Sequence, residues 1–82
     1  MDAMTLIKTA ITTVDSTKAG KLDALRADTE IRALGMDSVA TMEMVAYLEE
    51  QLHTQFPDEV MIRISTFGDL VALIDKTRAE QA

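Results

Sequence analysis

Three serines, one histidine and no cysteine bound the chemistry this chain can do with its own side chains. A Ser-His-Asp relay would need His53 to meet Ser16, Ser38 or Ser65 in space. The G-x-S-x-G strand-turn-helix elbow that prepares a serine for attack is absent. One histidine without a thiolate gives little for zinc, and the missing thiols also remove disulfides and a cysteine nucleophile. His53 therefore reads as a surface residue near a helix end. What remains is Gly35-Met36-Asp37-Ser38, where Gly35 ends a loop and Asp37-Ser38 opens a helix. Such pairs are first of all N-caps. A helix start also offers free N–H groups and the positive end of the dipole, so a hydroxyl there is placed to carry a phosphate ester. On these residues alone both readings stand.

The helix that presents Ser38 is expected to run from Asp37 or Ser38 to about Leu52. With Ser38 at zero and about 100° per residue, Thr41, Met44, Val45, Leu48 and Leu52 fall between roughly 240° and 340°, a compact buried stripe. Val39, Met42 and Ala46 fall on the opposite side, among Glu43, Glu49 and Glu50. Before it, Leu6, Ile7, Ala10, Ile11 and Val14 mark one face of a first helix from about Ala3 to Val14, capped by Asp2. Residues 15–36 read as a long connection, pinned to the core by Leu22, Leu25, Ile31 and Leu34, with room for a helical turn around Lys21–Arg26. Pro57-Asp58-Glu59 opens a short third helix to about Arg63. Ser65-Thr66 with Asp69 resembles a capping box for a fourth helix, whose inner face holds Phe67, Leu70, Val71 and Ile74 and whose polar tail frays from Lys76. The expected fold class is all-α: a four-helix bundle of three main helices and one short one, with a long first loop.

At 82 residues there is room for one domain, 1–82 with its core at about 3–76. No apolar run reaches the roughly 20 residues that span a bilayer, and no secretory signal pattern opens the chain, so a cytosolic protein is the default. The net charge of −6 is concentrated: residues 27–59 hold eight acids against one base, Arg32. Such a segment repels nucleic acid and anionic membranes and attracts basic protein surfaces; a merely solvated face explains the charge but not its concentration.

Leu34-Gly35-Met36-Asp37-Ser38-Val39 closely resembles the G-x-D-S-[LVI] signature of acyl carrier proteins. The resemblance continues through Thr41-Met42-Glu43-Met44-Val45, Glu49-Glu50-Gln51-Leu52, Phe56-Pro57-Asp58-Glu59 and Ile64-Ser65-Thr66-Phe67-Gly68-Asp69-Leu70, covering about residues 3–76. It implies that Ser38, within a motif that includes Asp37, bears 4′-phosphopantetheine. A phosphopantetheinyl transferase transfers that arm from coenzyme A. The arm's thiol carries acyl groups as thioesters, and the protein itself is not an enzyme. A chain without cysteine must import such a thiol. The resemblance also implies that Val39, Met42, Glu43, Ala46, Glu49 and Glu50 meet partner enzymes, among them a ketosynthase, an acyltransferase or a ligase. The expected state is a monomer.

Ala40 stands where many fatty-acid carriers have an acid, Tyr47 is a second departure, and Val60-Met61-Ile62 makes the third helix unusually apolar. These changes point toward a polyketide-type carrier over a fatty-acid one. An aminoacyl or peptidyl carrier is the alternative, opposed by Met36 where the peptidyl pattern G-G-[HD]-S has Gly. A carrier-like interaction module that is never modified is the alternative of another class. The chain starts at Met1 and ends just past the fourth helix, the pattern of a free-standing carrier, and a domain excised from a larger synthase would look the same.

Overall fold

Asp2 sets the first helix. Its carboxylate accepts the Thr5 N–H at 2.7 Å, and α1 (Ala3–Val14) follows with Ala3, Leu6, Ile7, Ala10 and Ile11 buried along one face. The hydroxyls of Thr9, Thr12 and Thr13 donate to carbonyls of the preceding turn, which satisfies them away from the core. The computed structural model describes residues 1–81.

Residues 15–36 are more regular than their sequence predicts. They hold two 3₁₀ segments, Ser16–Ala24 and Ile31–Leu34. Asp15 ends α1 with its N–H on the Ile11 carbonyl and then caps the next turn, its carboxylate accepting the Thr17 N–H at 3.1 Å. Leu25 and Leu34 are buried, and Leu22 and Ile31 pack against the same cluster. Gly35 then turns the chain toward Ser38 at φ 83°, a left-handed conformation that glycine adopts without a Cβ penalty.

Between the two segments, the backbone is fastened to the start of the last helix. Gly68 N–H donates to the Ala27 carbonyl at 2.7 Å, Phe67 N–H to Thr29 at 3.0 Å, and Ile31 N–H to Ser65 at 2.9 Å. Glu30 and Thr66 form an isolated antiparallel bridge within this patch. Gly68 is required by the closeness: a Cβ there would stand 2.8 Å from the Ala27 oxygen.

The helix of the motif, α2 (Ser38–Leu52), buries Met44, Leu48 and Leu52, with Thr41 and Val45 at the edge of the stripe. It stops at His53, whose left-handed φ of 53° closes the last turn with its N–H on the Glu49 and Glu50 carbonyls. The next helix, α3 (Asp58–Met61), is shorter than the predicted reach to Arg63. Arg63 and Ile64 N–H groups bond carbonyls only three residues back, tightening the chain out of α-helix before Ser65. The capping box forms as expected for α4 (Phe67–Gln81). Asp69 N–H donates to Thr66 Oγ1, while Asp69 Oδ2 accepts the Thr66 and Ser65 N–H groups at 3.1 and 3.0 Å. The tail from Lys76 does not fray as its polarity predicts. It stays helical to Gln81, whose side-chain amide donates to the Leu52 carbonyl at the end of α2. Among the described residues the buried apolar side chains form one cluster running from Ala3 to Ile74, with α1 packed on both α2 and α4. This is the expected all-α bundle of three main helices and one short one.

The Asp69 cap makes stability depend on acid. Backbone N–H bonds from Ser65 and then Thr66 hold its carboxyl below the usual carboxylate range. A lowered native pKa favours the fold while the group is ionised, so this contribution is present above the ordinary value of about 4 and disappears as pH falls through the native value below it. Thermal unfolding followed by circular dichroism from about pH 5 down to 2 is expected to fall more steeply in the wild type than in Asp69→Asn. Parallel acid limbs would remove the cap from this account.

Candidate attachment site and docking face

The structure divides the work of Asp37 and Ser38. Asp37 is the cap: its Oδ1 accepts the Ala40 N–H at 2.7 Å, and its carbonyl accepts both the Thr41 N–H and the Thr41 hydroxyl at 2.9 Å. Ser38 is the first helical residue, exposed to solvent, and its hydroxyl has no hydrogen-bond partner among the described residues. The N–H groups of Ser38 and Val39 are also unclaimed there, as expected of a first helical turn. A hydroxyl kept out of the cap, beside free amides at the positive end of a helix, suits an esterified phosphate. His53 closes the far end of α2, about 22 Å along the axis from Ser38. The serine therefore has no imidazole to activate it, and a triad is excluded on geometry.

A groove of about 660 Å³ opens beside Ser38 between α2, α3 and the Ile31–Leu34 segment. Met36, Met42, Met44 and Met61 line it, four of the six methionines in the chain, together with Ile31 and Ile64. Unbranched thioether side chains repack around different shapes, so this lining suits apolar groups of varied length. At the rim Arg32 pairs with Glu30, Nε to Oε2 at 3.0 Å. The residues present therefore fit an arm tethered at the Ser38 oxygen with an apolar group at its end. Ser38 and the free amides would hold the phosphate, and the groove would shelter what the arm carries. When bound, the arm supplies the thiol that this chain lacks.

Val39 and Met42 are 62% and 71% exposed, on the side of α2 opposite its buried stripe. Ala46, Glu43 and Glu50 are exposed around them. Glu49 differs from the free rim position expected of it. It is half-buried, and its Oε2 accepts the Phe56 N–H at 2.7 Å, which ties the α2–α3 connection to α2. The apolar tip of α3 adds Ile62, 83% exposed, to the surface. Tyr47 turns inward against the core, so that departure lies off the exposed face. Sequence reasoning missed the groove's other wall, Ile31 and Ile64. Its one legible sign was the apolar run Val60-Met61-Ile62.

A free hydroxyl at a helix start, beside an apolar groove, is an arrangement that a carrier of tethered groups can use. A family model described as "Phosphopantetheine attachment site" matches residues 5–74, and the chain belongs to that family, whose domain is the site of covalent 4′-phosphopantetheine attachment. Its carriers are modified by a phosphopantetheinyl transferase and work with synthase enzymes. Among curated proteins the chain is similar to an "Acyl carrier protein homolog" of Ureaplasma parvum serovar 3, 36% identical over 42 residues, covering 51% of this chain and 54% of the relative. It is also similar to the non-reducing polyketide synthase cla3 of Cladosporium cladosporioides, 27% identical over 71 residues, 87% of this chain and 3% of that protein. The matched region thus spans about half the first relative and a small part of the second. No solved structure matches the chain. Among the described residues no helix is long and apolar enough to cross a membrane.

Proposed function

We propose that this chain is a single-domain acyl carrier, not itself an enzyme, that holds acyl intermediates as thioesters on a 4′-phosphopantetheine arm attached at Ser38. The observation that carries the reading is the hydroxyl of Ser38, which Asp37 leaves free at the mouth of an apolar groove. Attachment joins the Ser38 oxygen to the phosphorus that bears the pantetheine in coenzyme A. Adenosine 3′,5′-bisphosphate leaves, and the hydroxyl proton passes to the transferase. Incubation with a transferase, magnesium and coenzyme A is expected to add about 340 Da to the intact mass. No gain with a transferase that loads a control carrier would sink the reading and leave an unmodified interaction module.

Polyketide-type assembly is the pathway favoured over fatty-acid synthesis. The similarity to a polyketide synthase over 87% of the chain supports it, as do Ala40 and the apolar α3. Loading with malonyl, fatty acyl and aminoacyl donors separates these cargoes, with malonyl expected to be accepted and aminoacyl refused.

The exposed face of Val39, Met42 and Ala46, flanked by Glu43 and Glu50, is the surface proposed to meet a ketosynthase, acyltransferase or ligase; Glu49 serves it by holding the next loop. Charge steering around a small apolar centre gives fast and weak docking. Reversing Glu43 and Glu50 to Lys is expected to weaken binding to such a partner about tenfold at low salt, with helicity unchanged. Equal affinity at low salt would count against this face.

A further inference from the structure

Lys18 and Lys21 lie one turn apart in the 3₁₀ segment Ser16–Ala24. Residues i and i+3 eclipse in that geometry, so both ammonium groups leave from one side. That side faces Gly35. A Cβ placed on Gly35 would stand 3.5 Å from Lys18 Nζ and 3.9 Å from Lys21 Nζ, so the two cations lie no further apart than those distances combined. Neither has a carboxylate within ion-pair distance among the described residues, where the ion pair found is Arg32–Glu30. Two like charges are thus gathered without a counter-ion in a chain of net charge −6.

Their position gives this a use. Gly35 precedes Ser38 by three residues, a chain span of at most about 11 Å, which flexible lysine side chains can bridge. A phosphodiester on Ser38 adds a negative charge directly beside Asp37, within the most acidic part of the chain. Arg32, on the groove rim, is already engaged by Glu30. Lys18 and Lys21 are two cations without a carboxylate partner beside the loop that leads to Ser38. We propose that these two lysines form a cationic seat for the phosphodiester of the arm, fixing its first atoms at the start of α2. This rests on Ser38 being the attachment residue.

The test follows the lysine side chains of the intact protein by carbon and nitrogen NMR before and after loading, with intact mass recorded on the same sample. The Lys18 and Lys21 ε-carbon and Nζ signals are expected to move together on loading, while Lys8 and Lys76 stay in place. In the double variant Lys18→Gln/Lys21→Gln, loading is expected to lower Tm by about 1–4 °C relative to its effect on the wild type at low salt, a difference that shrinks at high salt. A full mass gain with unmoved lysine signals overturns the seat and leaves attachment at Ser38 intact. No mass gain removes attachment and the seat with it. Shifts produced on the unloaded protein by inorganic phosphate or free coenzyme A, and not by the attached arm, assign the lysines to a diffusing anion and overturn the proposal.

Discussion

Ser38→Ala protein is expected to keep its unmodified mass under conditions in which the wild type gains about 340 Da, and to unfold at nearly the same temperature. Both halves follow from the division of labour at the start of α2. The oxygen that would be esterified belongs to Ser38 alone; Thr41, the nearest other hydroxyl on the helix, is half-buried and donates to the Asp37 carbonyl. The helix start itself is held by Asp37, whose carboxylate bonds the Ala40 N–H. Removing an exposed hydroxyl without protein partners from the first helical turn changes stability by no more than about 0.5 kcal/mol. Were Ser38 the cap, the same change would cost about 1 kcal/mol. Intact mass and thermal circular dichroism on one preparation read both quantities. Residual loading of the alanine protein would move the attachment site elsewhere, and a large loss of Tm would return Ser38 to the role of a cap.

Phe67→Ala is expected to remove about 3–5 kcal/mol, the largest loss from a single side chain in this fold. Phe67 is fully buried at the first position of α4, and its backbone N–H also holds the Thr29 carbonyl. A chain of 82 residues has roughly 4–12 kcal/mol in total, so the variant sits near the edge of folding. Urea unfolding of Phe67→Leu beside it separates packing from backbone effects, since leucine restores most of the apolar volume and is expected to recover more than half of the loss. If alanine and leucine unfold at the same urea concentration, the ring does not pack as described.

These two residues also show how far the sequence could be read. Asp2 with its apolar period gave the bounds of α1, and Thr66 with Asp69 gave the start of α4, because cap and period are local signals carried by side chains. The Ser38 motif was equally legible, although the residues alone left cap and attachment undivided until Asp37 Oδ1 was placed on the Ala40 amide. What stayed hidden depends on partners distant along the chain. The tail of α4, expected to fray, is held by Gln81 on the Leu52 carbonyl, 29 residues away. Glu49 looked like one acid of an open rim, and its bond to Phe56 becomes visible only when the α2–α3 turn is built. Of the 3₁₀ segments between Ser16 and Leu34, the sequence showed the pinning apolar residues and a turn around Lys21–Arg26, which the structure places earlier, at Ser16–Ala24; the full extent carries no sustained period. Lys18 and Lys21 counted only as charges until Gly35 was set between them and Ser38.

Residues 27–31 are joined to the start of α4 by peptide groups, with Gly68 as the one residue whose size the junction dictates. Peptide groups are the same whatever side chain they bear. The exposed side chain of Glu30 can therefore change, and with it the character of one bank of the groove, while the peptide fastening stays in place. The wall of the groove and the fastening of the fold then rest on different atoms of the same short segment.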